Sequence, residues 1–235
     1  MNLVNVFFLL IIAIAVLEGF NKGFLHSALS LGSIFLSIIT SYLLYPVVAV
    51  AFKANKTIFN FLLYFTEGSE KIASFENSRL LVDNLSSSQL TTIISTSSAT
   101  EPFATLIRQN VEHKAFASSG ISTVGDYFNM TMVSAVLNII SFALVFILAR
   151  IVYMFVLGAV GYTVKFPELR QYDRVSGALF GGIRGIMICF IIVVVVPAAI
   201  LFIPVDKVVE YFQGSTVGMF FFNNNFFLHL IRGTV

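Results

Sequence analysis

The sequence has little of what soluble proteins use most. Only 11% of its 235 residues are charged, whereas a soluble domain carries about a quarter, which excludes an ordinary cytosolic domain. Cys189 is the only cysteine, so an intrachain disulfide and a cysteine-based metal cage are both excluded. The net charge of +2 comes without a basic block, which excludes a nucleic-acid-binding protein. Trp is absent, so an aromatic belt at a membrane surface would have to use Tyr and Phe.

Apolar residues are abundant instead. They make up 57% of the chain, and the mean hydropathy is +0.91, which indicates a multi-span membrane protein with the lipid bilayer as its first partner. Four runs are predicted to span: Leu3–Leu17, extendable through Phe20, then Phe24–Phe52, Met132–Ala149 and Val175–Ile203. No Lys or Arg precedes the first run, so we interpret it as a retained helix and not a cleaved signal. The predicted fold class is an all-α integral membrane protein with four transmembrane helices in two hairpins.

The hydropathy pattern predicts four parts of the chain. These are a first transmembrane hairpin at 1–52, a polar extramembrane insertion at 53–131, a second hairpin at 132–204 and an amphipathic, interfacial tail at 205–235. Within the insertion, ten of the fifteen residues of 86–100 are Ser or Thr. Such a run buries little, so the insertion is predicted to be partly helical and partly disordered.

Lys and Arg near the span ends predict the orientation. Six lie on the side of the short connections: Lys22, Arg150, Lys165, Arg170, Arg174 and Arg184. Three lie on the other side: Lys53, Lys56 and Lys207. We therefore predict a plasma or inner membrane protein with cytoplasmic short loops, and with the insertion and both termini outside.

A glycine repeat opens the fourth span. Gly177, Gly181 and Gly185 recur every four residues, so they line one flank of a helix, where another backbone can approach closely. Packing within one chain, a homo-oligomer seam, and a flexible break in a gating helix are all compatible with this repeat.

Charged residues share that flank. Arg184 lies on it, together with Asp173 and Arg174, and a charge inside hydrocarbon costs about 2.5–3.5 kcal/mol on insertion scales. The apolar run after Arg184 is nearly long enough to span alone, which favours a boundary anchor over the alternative, a role in a polar pathway.

The first hairpin has a similar connection. Gly19 and Gly23 are four residues apart, and Glu18 precedes Lys22 by the same spacing, a favourable pair on a helix. We expect the two connections to pack together, with Glu18 facing either Arg184 or Arg174.

The second span carries a polar stripe at helical spacing. Its members are His26, Ser30, Ser33, Ser37 and Thr40. Packing against another span is favoured, since Ser and Thr in membrane helices bond their own backbone or a neighbouring helix. The alternative is one wall of a hydrated path, with His26 as a proton site.

Two stretches resemble the colicin V production protein (CvpA) family. GFNKGF at 19–24 matches the family's G-F-x-K/R-G-F and precedes a Ser/Leu-rich helix, and DRVSGALFGGIRG at 173–185 matches the more specific D-R-x-x-G-x-x-x-G-x-x-R-G. The resemblance implies a four-span bacterial inner-membrane protein linked to colicin V export and envelope upkeep, without a defined molecular activity. This chain departs from the family in its long insertion, and in Asn2 and Asn5, where members often have an Asp.

Together these features favour a non-enzymatic membrane component that supports toxin production or secretion and envelope homeostasis, with secretion or envelope proteins as partners. A small oligomeric transporter or channel is the alternative. The sequence has no zinc-protease His pair, nucleotide-binding glycine loop or nucleophile–base pair, so we predict no enzyme activity, cofactor or metal.

Overall fold

The computed structural model describes residues 2–163, 173–202 and 206–235. Within them lie nine α-helices: α1 Leu3–Ala54, α2 Lys56–Thr66, α3 Phe75–Arg79, α4 Ser87–Thr96, α5 Phe103–Glu112, α6 Val124–Thr163, α7 Asp173–Phe202, α8 Asp206–Gln213 and α9 Thr216–Asn223. The only β pairing in this part of the chain is an isolated antiparallel bridge between Leu81 and Thr123. Lys165 and Arg170, two of the cations used to predict orientation, lie outside the described residues.

Three of these helices are long and apolar enough to cross a membrane: α1, α6 as far as Ala159, and α7. Their surfaces carry large apolar side chains, such as Phe155, which is 77% exposed, and Val47, which is 68% exposed. Soluble proteins rarely leave large apolar patches in water, whereas a helix in lipid satisfies its backbone internally and can expose such side chains. This agrees with the predicted all-α membrane fold.

Gly23 interrupts α1. Its backbone has φ 81° and ψ 179°, a region that is essentially restricted to glycine. The interruption divides α1 into two segments, each with enough residues for a span of about 20. The sequence places the first connection at the same point, between Phe20 and Phe24.

The chain forms two compact units. The first contains α1 as far as Leu44, α6 from Phe142, α7 as far as Val196, and α8 and α9. One cluster of its core joins α1, α7 and α9 through Phe8, Cys189, Val193 and Phe221, each no more than 3% exposed. The thiol of Cys189 lies 3.9 Å from the carbonyl oxygen of Phe8.

The second unit contains α2 to α5, the adjoining ends of α1, α6 and α7, and residues 228–235. Its core includes the apolar face of α5, where Phe103 is 1% and Ile107 0% exposed. The amide of Asn110 on the same helix donates to Thr131 Oγ1 at 2.9 Å and to the carbonyl oxygen of Gly233 at 2.8 Å. These bonds satisfy a buried amide, as low-dielectric interiors require.

The Ser/Thr-rich run differs from the prediction. Composition predicts that 86–100 is mobile, but the structure has helix α4 at Ser87–Thr96. Ser86 and Gln89 form a reciprocal capping box at its start, and Leu90, Ile93 and Ile94 are buried. The hydroxyl content conceals an apolar face at helical spacing and a strong N-cap, and these two features outweigh composition.

The tail predicted to be interfacial has both buried and exposed apolar side chains, with Phe220 57% and Phe226 51% exposed. Phe221 on α9 and Phe227 just beyond it are 3% and 2% exposed inside the first unit, and Ile231 is 2% exposed inside the second. These three side chains pack inside the protein, and the interfacial position of the tail stays a prediction. The boundaries predicted at residues 52, 131 and 204 stay a prediction.

Candidate functional site

The site begins at the interruption of α1. Because Gly23 is not helical, the N–H of Phe24 starts a new helical segment without a carbonyl partner of its own. Asp173, the first residue of α7, accepts this hydrogen bond through Oδ1 at 2.8 Å. A carboxylate at a helix N-terminus also interacts favourably with the helix dipole. A Cβ on Gly23 would overlap this carboxylate, so the contact requires glycine.

From there, α1 and α7 run antiparallel with their backbones in contact. A Cβ on Gly19 would overlap the carbonyl oxygen of Gly177, and a Cβ on Gly177 would overlap that of Gly19. One turn further, a Cβ on Gly181 would overlap the carbonyl oxygen of Ala15. Small residues every fourth position allow this approach, and close van der Waals packing then holds the helices together in lipid.

The next turn of the same contact holds Gly185. A Cβ there would lie 3.0 Å from both the Cβ of Ala15 and the Cα of Ile12. The glycine flank of α7 thus contacts α1 of the same chain. A homo-oligomer seam through this face stays a prediction, and such a seam would have to displace α1.

The glycine contact brings an ion pair together. Arg184 is 4% exposed, and its Nη2 donates to Glu18 Oε2 at 2.6 Å and to the carbonyl oxygen of Ala15 at 3.3 Å. The other oxygen of Glu18 accepts from Lys22 Nζ at 2.6 Å. Of the two partners that the sequence left open for Glu18, the structure has Arg184.

Ser30 joins a second arginine to this group. Arg150 on α6 donates to the Ser30 carbonyl oxygen at 3.1 Å and to its Oγ at 3.0 Å. Arg184 Nη1 reaches the same Oγ at 3.2 Å. Two guanidinium groups from different helices therefore converge on one hydroxyl.

A cavity of about 790 Å³ opens beside these groups. Its polar lining comprises Glu18, Lys22, His26, Ser30, Ser33, Arg150 and Arg184. Its apolar lining includes Ile11, Ile14, Leu29, Met154, Leu157 and Ile188. The volume is in the range of pockets that hold small organic ligands. Among the described residues, no group of three or more His, Cys, Asp and Glu side chains is placed to hold a metal ion.

The family model described as "Colicin V production protein" matches residues 88–225, which is more than half of the chain. The chain belongs to this family. No curated protein and no solved structure matches it.

The matched part of this colicin V production family member includes the DRVSGALFGGIRG stretch, while GFNKGF at 19–24 lies before it. The structure nevertheless connects the two, since Gly19 contacts Gly177 and Gly23 contacts Asp173. The two stretches therefore pack against each other, which explains why glycine recurs every four residues in both.

The remaining predicted residues have other surroundings. Arg174 points its guanidinium over the Phe20 ring, 5.9 Å from the centroid, an arrangement that cation–π attraction favours. Ser33 and Ser37 are fully buried, and their hydroxyls donate to the carbonyl oxygens of Ser30 and Ser33 at 2.7 and 2.6 Å. His26 is exposed and lines the cavity.

Sequence reasoning missed Arg150, which it counted only among cations at span ends. A single arginine between two long apolar runs was the available signal, because such a residue is rare and functional in membrane helices. It also missed the role of Asn5, whose Oδ1 accepts from Ser215 Oγ at 2.7 Å and from the N–H of Val217 at 3.0 Å. Asn5 therefore caps the start of α9 from α1, a role for which an amide suffices.

Proposed function

We propose that this colicin V production family member is a four-span protein of the bacterial inner membrane that supports toxin production or secretion and envelope homeostasis without catalysis of its own. Its short connections lie in the cytoplasm, with 53–131 and both termini outside. In this proposal α1 contributes two spans, and α6 and α7 one each. The observation that carries it is the Glu18–Arg184 pair beside the Gly23 interruption.

The Glu18–Arg184 pair supports a structural role because its charged groups are occupied by partners within the protein. Both oxygens of Glu18 are engaged, by Lys22 and by Arg184, and the Arg184 side chain is only 5% exposed. A carboxylate so occupied is poorly placed to take protons from a substrate. Its role here is to hold the interrupted α1 against α7, so that partners meet a rigid surface.

Replacement in cells tests this function. In a colicin V-producing strain whose own family member is deleted, this chain should restore toxin secretion and tolerance of detergent stress. Arg184→Glu should fail, and Glu18→Arg combined with Arg184→Glu should recover most of the loss. Arg79→Gln, an exposed cation on α3, is the matched control. Normal secretion by Arg184→Glu would contradict the proposal.

A second candidate, a small oligomeric transporter or channel, is favoured by the cavity of about 790 Å³ with its arginines. Purified protein in liposomes should then move ions or solutes, and Arg184→Ala should abolish the flux while Arg79→Gln leaves it unchanged. An absence of flux in liposomes that hold folded protein would reject this candidate.

A further inference from the structure

The charges around the cavity do not balance. Lys22, Arg150 and Arg184 face it with one carboxylate, Glu18. That carboxylate is engaged on one oxygen by Lys22 and on the other by Arg184. Among the described residues, no carboxylate forms an ion pair with Arg150. Arginine stays protonated in proteins, so Arg150 contributes a positive charge that the described residues do not neutralise.

The two arginines share a single hydroxyl group as their hydrogen-bond acceptor. Arg150 Nη2 and Arg184 Nη1 lie 3.0 and 3.2 Å from the single hydroxyl of Ser30. The buried Nε of Arg184 has no hydrogen-bond partner within the described part of the protein, and leaving a buried donor without a partner is unfavourable. An anion with several oxygens would neutralise the charge and offer both guanidinium groups acceptors of the geometry they prefer.

The rest of the cavity is apolar. Ile11, Ile14 and Leu29 line it from α1, and Met154 and Leu157 line it from α6. Ile14 is 61% and Met154 56% exposed, so the apolar wall continues onto the helix surfaces that we assign to lipid. A ligand that fills this space therefore combines an anionic head with a hydrocarbon part.

We propose that this cavity binds a phosphate group carried on an amphiphile, with Arg150 and Arg184 as its ligands and the α1–α6 apolar wall covering its hydrocarbon. Arginine forms paired, parallel hydrogen bonds with phosphate as it does with carboxylate, and a phosphate has enough oxygens to face both guanidinium groups at once. The site needs neither toxin export nor solute flux, so it is independent of the function proposed above.

Binding to the purified full chain in neutral detergent tests the proposal. The probes are dihexanoyl phosphatidic acid below its micelle concentration, inorganic phosphate, and dihexanoyl phosphatidylcholine, which has the same tails but no net charge. Calorimetry should give phosphatidic acid the tightest binding, by about tenfold or more over each of the others, because only this probe combines buried methylenes with charged hydrogen bonds to both arginines.

Variants test the contacts to the phosphate and to the hydrocarbon part of the ligand separately. Arg150→Gln should weaken phosphatidic acid binding by about tenfold or more, while Arg79→Gln leaves it unchanged. Leu157→Gln should weaken phosphatidic acid but not inorganic phosphate. If Arg150→Gln does not fold, Arg150→Lys keeps the charge but loses the planar fork, and a loss of affinity is still expected.

Three results would overturn the proposal. The first is no binding of phosphatidic acid to folded protein. The second is equal affinity of wild type and the folded Arg150 variant. The third is equal affinity for inorganic phosphate and phosphatidic acid, which would show that the site binds a free anion and that the hydrocarbon part of the ligand contributes nothing.

Discussion

At the scale of single residues, the arginines decide how this membrane protein tolerates charge. Arg184 is buried, yet it has Glu18, Ser30 and a carbonyl oxygen as acceptors. Removing one partner of a buried pair is costly because the other charge remains without compensation, by about 3–5 kcal/mol. Glu18 differs from Arg184 in this respect, since its side chain is 37% exposed and keeps Lys22.

This asymmetry predicts the outcome of a charge series. Glu18→Gln should lower the stability of the protein in detergent strongly, because it leaves Arg184 unpaired. The double variant Glu18→Gln/Arg184→Gln should lose less than the sum of the two single variants, with a coupling free energy of about 0.5–3 kcal/mol. Thermal unfolding of the purified proteins measures it.

Lys22→Gln is the internal control for this series. It removes an exposed pair four residues apart on α1, which is worth about 0.3–0.5 kcal/mol. Additive losses at Glu18 and Arg184, within error, would show that the pair contributes nothing to stability.

At the scale of elements, two features position the site: the interruption of α1 and the glycine contact with α7. Both depend on the absence of side chains at defined points. Gly23 takes a conformation that other residues rarely adopt, and Gly181 leaves room for the backbone at Ala15. A single methyl group added at Gly23 or Gly181 is therefore expected to lower the stability of the protein more than one added at a nearby glycine.

Gly23→Ala should destabilise the protein by about 1–3 kcal/mol, the cost of a non-glycine residue held in such a backbone conformation. The overlap with Asp173 adds to this loss. Gly32→Ala is the matched control on the same helix, since a Cβ there meets nothing within 4 Å. Thermal unfolding should therefore separate the two variants, and equal stability would contradict the role of the interruption.

Adjacent glycines on α7 provide a second matched pair. Gly181→Ala should cost about 1–3 kcal/mol, because overpacking forces the two backbones apart. Gly182→Ala should be nearly neutral, since its Cβ would meet only Val16 Cγ2, at 3.4 Å. Gly181→Leu should disrupt folding altogether. Unfolding curves that do not distinguish Gly181→Ala from Gly182→Ala would remove the packing explanation.

At the scale of the whole molecule, the number of spans depends on α1. If its two segments each cross the bilayer, the connection at the Gly23 interruption lies on the same side as the connection between α6 and α7. The insertion at 53–131 then lies on the other side. A single crossing by α1 would place these parts differently, so accessibility from the two sides distinguishes the topologies.

Single cysteines introduced after Cys189→Ala test this arrangement with a membrane-impermeant maleimide. In intact cells Ser87→Cys, on the exposed face of α4, should react. Asn21→Cys and Gln171→Cys should react only after permeabilisation. A reversed pattern would invert the orientation, and reaction of Asn21→Cys together with Ser87→Cys would contradict two crossings by α1.

Sequence alone determined the class of this protein, because low charge and long apolar runs reflect the solvent that surrounds it. It also determined the family. The four-residue spacing of Gly19 and Gly23, and of Gly177 and Gly181, indicated that each pair lies on one helix face, because the geometry of a helix fixes which residues share a face. Only the tertiary structure decided that Asp173 caps the interruption of α1, and that Arg150 joins Arg184 at Ser30. These contacts link residues distant in the chain, and no local pattern specifies such partners. The ordered helix in 86–100 likewise needed a buried partner surface, which composition does not record.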